Sequence, residues 1–465
     1  MTSTTVTPGR ALPGWLKTGL LAALVFLLCW GAAIAWWRAG GGEPGAGELV
    51  LVLLALPLGL LVSCWGIRKL VVARAPVAKT PTASPTAQPA PVAPPAPPLA
   101  ILATALRSPH GASAEELAAA IAENKARPDL DPELVDDKGF PITAARRDDA
   151  VDEAVWEELS EWLTGASLPE LRFSEAQWRA LTLGTAVVRD LAGEAASALI
   201  LPEGMPPALR LIPLLPAGWS AEHRRAAGMW FQHQVAQFGW PPGTLTCVDV
   251  PGGVASAAIN LVAREAAVAH QGLAALVVSC ESHIDQDTVD RWQAAGAMFT
   301  SSPFQELIPG EGAAGILLTN LQLVKTIGET AHVVLEPFVD GEHAVSADDC
   351  KRVDTQLLAT LAERSCKQAS VALAEVAMVL ADTGERPKRM LELMAVVSTS
   401  FGHLDDPADV ARVGASSGTC GAVPCITALA LARHHAIERA APVLYVSNED
   451  PHHRCTALLR PAAPA

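Results

Sequence analysis

The chain has 465 residues, half of them apolar, and a formal net charge of −15 at neutral pH. Its first 80 residues carry a net charge of +5, so the other 385 carry −20. Because a strongly acidic surface repels phosphate groups, this composition argues against nucleic acid as a partner. The acidic part of the chain is long enough to bury a large core.

Two uncharged apolar segments, residues 18–37 and 49–67, predict a pair of transmembrane helices within residues 1–74. Each is about as long as a helix must be to cross a hydrocarbon core of roughly 30 Å. A cleaved signal peptide ending near residues 33–35 is the alternative, but the first segment is too long for one and a second segment follows directly. We therefore expect a two-helix transmembrane hairpin.

Basic residues at the two outer ends of the hairpin predict its orientation. Two basic residues precede the first segment, Arg10 and Lys17, and the loop between the segments holds one, Arg38. Four follow the second segment: Arg68, Lys69, Arg74 and Lys79. Basic residues favour the cytoplasmic side of a membrane. The sequence thus predicts a protein of a bacterial inner membrane, with both termini and the main domain in the cytoplasm.

Residues 75–98 are rich in proline and alanine and predict a linker. Such a segment cannot bury enough surface to fold, and it forms an extended, semi-rigid spacer. The remaining residues, 99–465, are expected to form one α/β domain. Capping residues and helical periodicity predict its first helices at 113–124, 152–163 and 174–198. The first of them opens with a capping box at Ser113.

Short apolar runs predict the strands of this domain: 99–106, 209–215, 244–248, 273–279, 313–318, 332–335, 393–397 and 443–446. Helical stretches separate most of these runs, which predicts βαβ units and a largely parallel sheet. A glycine-rich elbow followed by a helix and a strand occurs twice, starting at residues 248–253 and at residues 417–421. This repetition predicts a domain built of two similar halves.

Three stretches resemble the β-ketoacyl synthases and their thiolase-fold relatives. They are the opening strand, turn and helix at residues 100–117, the strand at 275–282 with the Pro-Gly-Glu-Gly-Ala-Ala motif at 309–314, and the terminal run at 442–450. The resemblance implies a thiolase-like α/β fold with two pseudo-duplicated halves and a mixed sheet. It covers most of residues 99–460.

The resemblance also implies a nucleophilic cysteine at the elbow of the first half. A helix amino terminus at such an elbow lowers the pKa of a thiol and supplies N–H groups for an oxyanion. Here the elbow contains Pro251, Gly252 and Gly253, and Gly252 stands where the cysteine is expected. Cys247 lies on the preceding predicted strand. Since glycine has no nucleophile, covalent acyl transfer would fail at its first step.

Two histidines are implied for the second half, and the stretches that resemble their surroundings lack them. These stretches contain Thr399 and Ser417 near the expected positions, with His403 close to the first. The loss of the cysteine and at least one histidine predicts a vestigial elbow on a protein that is not an enzyme.

Other residue combinations are interpreted as structural. Ser282, His283 and Asp285 are expected to be solvated loop residues rather than a triad, and Glu311 to serve turn geometry. The pairs His434–His435 and His452–His453 lack a carboxylate or cysteine at a supporting spacing, and no cysteines show zinc-site spacing. We therefore expect no metal and no cofactor.

Taken whole, the chain resembles the adapter proteins of bacterial type VI secretion lipase effectors. These combine a hydrophobic hairpin, a Pro-rich spacer and a degenerate synthase-like body. The resemblance implies a non-catalytic adapter that binds a lipase effector and helps load it onto the secretion spike protein, with homodimerisation possible. Two alternatives stay open: an acyl-transferring enzyme using Cys247, Cys420 or Cys425, and an inactive partner subunit of an active synthase.

Overall fold

The computed structural model describes Trp30 and residues 96–200, 206–241, 243–269, 272–298, 307–328, 331–350, 352–405 and 408–462. By its contacts the chain divides into two units, Met1–Ala93 and Pro94–Ala465, and the second is described below. Apart from Trp30, the predicted hairpin (1–74) lies outside the described residues, as do residues 75–95 of the predicted linker. None of the helices described is both long and apolar enough to cross a membrane.

The described part of the second unit contains strands β1 (Leu99–Arg107), β2 (Asp129–Val135), β3 (Pro141–Ala144), β4 (Ala208–Leu214), β5 (Leu245–Cys247), β6 (Leu273–Ser282), β7 (Glu311–Asn320), β8 (Val333–Leu335), β9 (Val339–Glu342), β10 (Met378–Ala381), β11 (Val410–Arg412), β12 (Val443–Ser447) and β13 (His453–Pro461). Its helices are α1 (Ala114–Ala122), α2 (Glu153–Gly165), α3 (Glu175–Leu199), α4 (Ala221–Ala236), α5 (Ala255–Val268), α6 (Gln286–Ala294), α7 (Leu321–Ile327), α8 (Gln356–Gln368), α9 (Pro387–Ser400), α10 (Val413–Ser417) and α11 (Val423–Glu438).

Ten strands of the eleven-stranded main sheet form two sets with the same order and the same directions, whereas β2 and β3 pair in a separate two-stranded sheet. The first set runs β5-β4-β6-β7-β1 and the second runs β11-β10-β12-β13-β8. In each set the first three strands are mutually parallel and the last two join antiparallel. Antiparallel pairing of β1 with β8 connects the sets, and β9 adds to β13. The two halves predicted from the repeated elbow are therefore present in the strand order.

Helices cover both faces of each set of strands. The side chains of α5 and α11 share one core with a face from each set, whereas α3 with α4 and α8 with α9 pack on the outer faces. Alternate residues of a strand enter different cores: Val277 joins the central one and Leu276 the outer one. Because strand side chains alternate between faces, both faces of the sheet must be apolar.

The starts of the predicted helices are confirmed by their caps. Ser113 and Asp152 accept hydrogen bonds from backbone N–H groups of α1 and α2, and Ser174 forms a capping box with Gln177 at α3. The capping box expected at α1 is incomplete. The Glu116 carboxylate accepts the N–H of Ala112, at 2.7 Å, instead of the N–H of the cap residue Ser113.

Two expectations about the strands are wrong. Residues 393–397 lie within α9, where Leu393, Val396 and Val397 share the buried face of a helix that opens with a proline. A short apolar run fits either a strand or a buried helical turn, so its period does not decide. The sheet is also mixed rather than largely parallel, because the strand pairings on both sides of β7 and β13 are antiparallel.

Candidate functional site

A cavity of about 830 Å³ lies between the two halves. Its walls are the segments that follow the carboxyl ends of central strands: residues 214–218 after β4, 382–386 after β10 and 447–453 after β12. The two glycine-rich elbows also line it. Segments at the carboxyl ends of parallel strands are a usual place for ligand sites in α/β proteins.

At the cavity wall, the elbow of the first half presents two glycines. Pro251–Gly253 form a single turn of 3-10 helix before α5, and Gly252 and Gly253 line the cavity. Their φ angles of +80° and +62° belong to a region that glycine adopts without strain. A Cβ added at Gly252 would meet only the Val254 Cγ2 atom, at 4.0 Å. The elbow therefore opens into the cavity without offering a nucleophile.

The residues singled out in the second half do not meet at the cavity. Thr399 is exposed on α9 and donates its hydroxyl to the Ala395 carbonyl at 2.8 Å. Ser417 is buried at the end of α10 and donates to the Val413 carbonyl. His403 bonds the Val376 carbonyl. Among the described residues, the histidines that line the cavity are His452 and His453.

Asp382 is a site residue that the sequence reasoning missed. It follows β10 directly, is buried at the wall of the cavity, and accepts a hydrogen bond from the Ser447 hydroxyl at 2.5 Å. The Asn448 N–H, at 2.9 Å, and the Cys425 thiol, at 3.1 Å, also donate to its carboxylate. Burial raises the pKa of Asp382. An Asp-Thr-Gly run after an apolar segment was the available signal, but β10 itself was not predicted.

None of the three cysteines considered as alternative nucleophiles has an activated thiol. Burial raises the pKa of Cys247 to about 11, and that residue lies on β5 rather than on the cavity wall. Cys420 and Cys425 do line the cavity, but burial raises the pKa of both thiols well above the ordinary value. Because the thiolate is the nucleophile, the raised pKa values disfavour these thiols as nucleophiles at neutral pH.

Glu311 begins β7 and is held in a buried ion pair, rather than serving the turn that its glycine neighbours suggested. It is fully buried at the start of β7 and accepts two hydrogen bonds from the Arg179 guanidinium, at 2.6 and 2.8 Å. The Arg147 N–H and the Ser282 hydroxyl donate to the same carboxylate at 2.7 and 2.9 Å. Ser282 is thus buried, contrary to the expectation of a solvated loop residue.

The neighbouring His283 and Asp285 do not form a triad with Ser282. Asp285 caps α6 through the Thr288 N–H, and His283 lies 3.2 Å from the Glu281 carboxylate. At the end of α11, His434 and His435 do have a carboxylate nearby, since the ligand atoms of these histidines and Glu438 lie within 4.8 Å of one another. Glu438 lies one helical turn from His434, so the expectation that these histidines lack a carboxylate at a supporting spacing is wrong.

No protein-family model and no curated protein sequence matches this chain. Solved structures do match. A ketosynthase from module 1 of the bacillaene synthase of Bacillus amyloliquefaciens FZB42 is 13% identical, with a TM-score of 0.55 over 79% of this chain and 73% of that one. The ishigamide ketosynthase/chain length factor is 16% identical, with a TM-score of 0.51 over 79% of this chain and all of that one. The PfaC ketosynthase–chain length factor is 10% identical, with a TM-score of 0.57 over 80% of this chain and 43% of that one.

These likenesses define the class of fold. The chain has the thiolase-like, two-halved mixed-sheet fold of ketosynthases, as the sequence resemblance implied. At identities this low the likeness shows the fold alone, and function must be argued from the site itself. The site has a cavity in the expected place and a glycine at the elbow that faces it.

Proposed function

We propose that this chain is a non-catalytic binding protein built on the ketosynthase fold. In the more specific form of the proposal, it is an adapter that binds a type VI secretion lipase effector and helps load it onto the spike protein. The observation that carries the proposal is Gly252, which opens the elbow into the cavity without a nucleophile. The apolar segments and Pro-rich linker before the domain support the adapter form and a location at the inner membrane.

The chemistry of the cavity supports the absence of acyl transfer. A covalent mechanism needs an activated nucleophile next to a base, and the thiols that line this cavity have raised pKa values. The cavity histidines, His452 and His453, lie next to Asp450, which accepts hydrogen bonds from their backbone N–H groups. Asp382, the buried carboxylate at the cavity wall, accepts hydrogen bonds from the Ser447 hydroxyl and the Asn448 N–H. These bonds occupy the carboxylate that could otherwise serve as a base in the cavity.

A second candidate is an inactive partner subunit of an active ketosynthase. Two of the similar structures are described as ketosynthase with chain length factor. A glycine at the elbow fits such a partner as well as it fits an adapter. An acyl-transferring enzyme is the third candidate, and it requires Cys420 or Cys425 to lose its proton despite burial.

Affinity purification distinguishes these candidates. The tagged full-length chain is expressed in its source bacterium, and the retained proteins are identified by mass spectrometry beside an unrelated tagged membrane protein as control. Specific recovery of a lipase effector or a spike protein is the expected result. Recovery of an active ketosynthase or an acyl carrier protein instead would contradict the adapter and favour the second or third candidate.

A further inference from the structure

We propose that the cavity between the two halves binds an organic cation, an ammonium or guanidinium group carried on an aliphatic chain. This inference rests on the proposed function, because it names the ligand class of the same non-catalytic cavity. The ligand class follows from the charge of the lining, the surroundings of its deepest carboxylate and the apolar part of the wall.

Carboxylates dominate the charged lining of the cavity. Among the described residues, one arginine and six carboxylate side chains line it: Arg386, with Glu281, Glu342, Asp382, Glu385, Glu449 and Asp450. The arginine is already engaged, since its Nε lies 3.3 Å from a Glu449 carboxylate oxygen, and Glu281 and Glu385 are likewise paired, with His283 and Arg412. Because concave walls of one sign concentrate ions of the other, this cavity attracts cations.

The deepest of these carboxylates lacks a cationic partner among the described residues. The donors to Asp382 are the Ser447 hydroxyl, the Cys425 thiol and the N–H groups of Asn448 and Glu449, all of them uncharged. A buried carboxylate without a counter-charge is costly, and a nearby cation offsets that cost. Glu449, on the same wall, accepts the Gly384 N–H at 2.9 Å.

The uncharged part of the wall indicates what carries the cation. Leu214, Leu215, Val254, Ile308 and Tyr445 line the same cavity, so an aliphatic chain has apolar surface to cover. The volume of about 830 Å³ is in the range of pockets that hold small organic ligands or a partner's side chain. Within the described residues, the group of three side chains spaced for a metal ion is on α11 and not at this cavity. An organic cation therefore fits better than a metal ion.

Fluorescence titration of the purified full-length chain tests this inference. The probe is dansylcadaverine, a primary amine on a five-carbon chain, and the comparison probe is dansyl-aminohexanoic acid, which carries a carboxylate instead. We expect saturable binding of the amine alone, with an affinity that falls as salt rises. The double variant Glu281→Gln/Glu449→Gln should bind the amine at least tenfold more weakly. The double variant Glu157→Gln/Glu161→Gln, two exposed changes of the same total charge on α2, should bind it as the unchanged protein does.

Thermal melting first confirms that each variant folds, and Glu385→Gln at the exposed rim replaces any that does not. Equal affinity of the double variant and the unchanged protein, or preference for the acidic probe, would overturn the inference. Displacement by spermidine would support a free amine as ligand, and displacement by a lysine-containing peptide would support a partner's side chain. Displacement by neither would also overturn it.

The titration is independent of the affinity purification. If an effector is recovered but the amine does not bind, the ligand class is wrong and the adapter proposal stands. If the amine binds but no effector is recovered, the adapter proposal fails and the ligand class stands.

Discussion

At the scale of single residues, Gly252 combines a missing nucleophile with a backbone conformation that suits glycine. Its φ of +80° costs a residue with a Cβ about 1–3 kcal/mol, and the added side chain would point into open space. A cysteine at this position would therefore reach the cavity at a moderate cost in stability. Its thiol would still lack the histidine pair implied by the ketosynthase resemblance.

We accordingly expect Gly252→Cys to show no condensation of acyl thioesters. The measurement is product formation from acyl and malonyl carrier substrates, followed by mass spectrometry, with the unchanged chain as background. Mass spectrometry of the intact variant after exposure to an alkylating reagent controls for access to the new thiol. Condensation above background would refute the conclusion that the site lacks more than its nucleophile.

The raised pKa of Asp382 predicts how the stability of the protein depends on pH. Burial raises the pKa of its carboxyl in the folded protein, so the folded state binds the proton more tightly than the unfolded state, where the pKa is about 3.9. Its contribution to stability is therefore full below pH 3.9 and is lost as pH rises through the raised value. Asp382→Asn should flatten the decline of unfolding free energy from about pH 4 upward.

Urea unfolding at a series of pH values measures this effect. Asp137→Asn, an exposed change of the same kind between β2 and β3, serves as the control. A profile for Asp382→Asn parallel to that of the control would show that Asp382 does not titrate differently in the two states.

At the scale of elements, Glu311 holds the start of β7 to α3 and to the end of β6. Glu311→Gln leaves the Arg179 guanidinium buried without a counter-charge, and breaking a buried ion pair in this way costs about 3–5 kcal/mol. We expect the free energy of unfolding to fall by that amount. Glu265→Gln breaks the partly exposed pair with Arg210, for which about 0–1 kcal/mol is expected.

Chemical denaturation of both variants beside the unchanged protein gives the comparison. Similar losses of unfolding free energy for the two variants would contradict the expectation that burial makes the Glu311 pair more important to stability.

Some helices and strands were predicted from the sequence and others were not. Caps gave the starts of α1, α2 and α3, and the long apolar runs gave β1, β6 and β7. The strands β10 and β11, of four and three residues, were missed because so short a run shows no period, and β5 and β8, each of three residues, were found only as apolar runs. The strand predicted at 393–397 failed for the same reason.

At the scale of the whole molecule, the orientation of the chain is a prediction still to be tested. The basic residues around the apolar segments predict a carboxyl terminus in the cytoplasm. A carboxyl-terminal alkaline phosphatase fusion should therefore be inactive, because that enzyme folds only where disulfides form. A green fluorescent protein fusion at the same position should fluoresce and controls for expression. Phosphatase activity with a dark fluorescent fusion would reverse the orientation.

The sequence was enough to predict the two-halved α/β domain, the glycine at the elbow and the acidic charge, because periodicity, turn chemistry and composition are local properties. It did not place Thr399 or Ser417, and it missed Asp382. Those positions depend on which loops meet after strands distant in sequence have paired, as β10 and β12 do to bring Asp382 to Ser447. Only the tertiary structure decides that, since a cavity between two halves exists only once both are folded together.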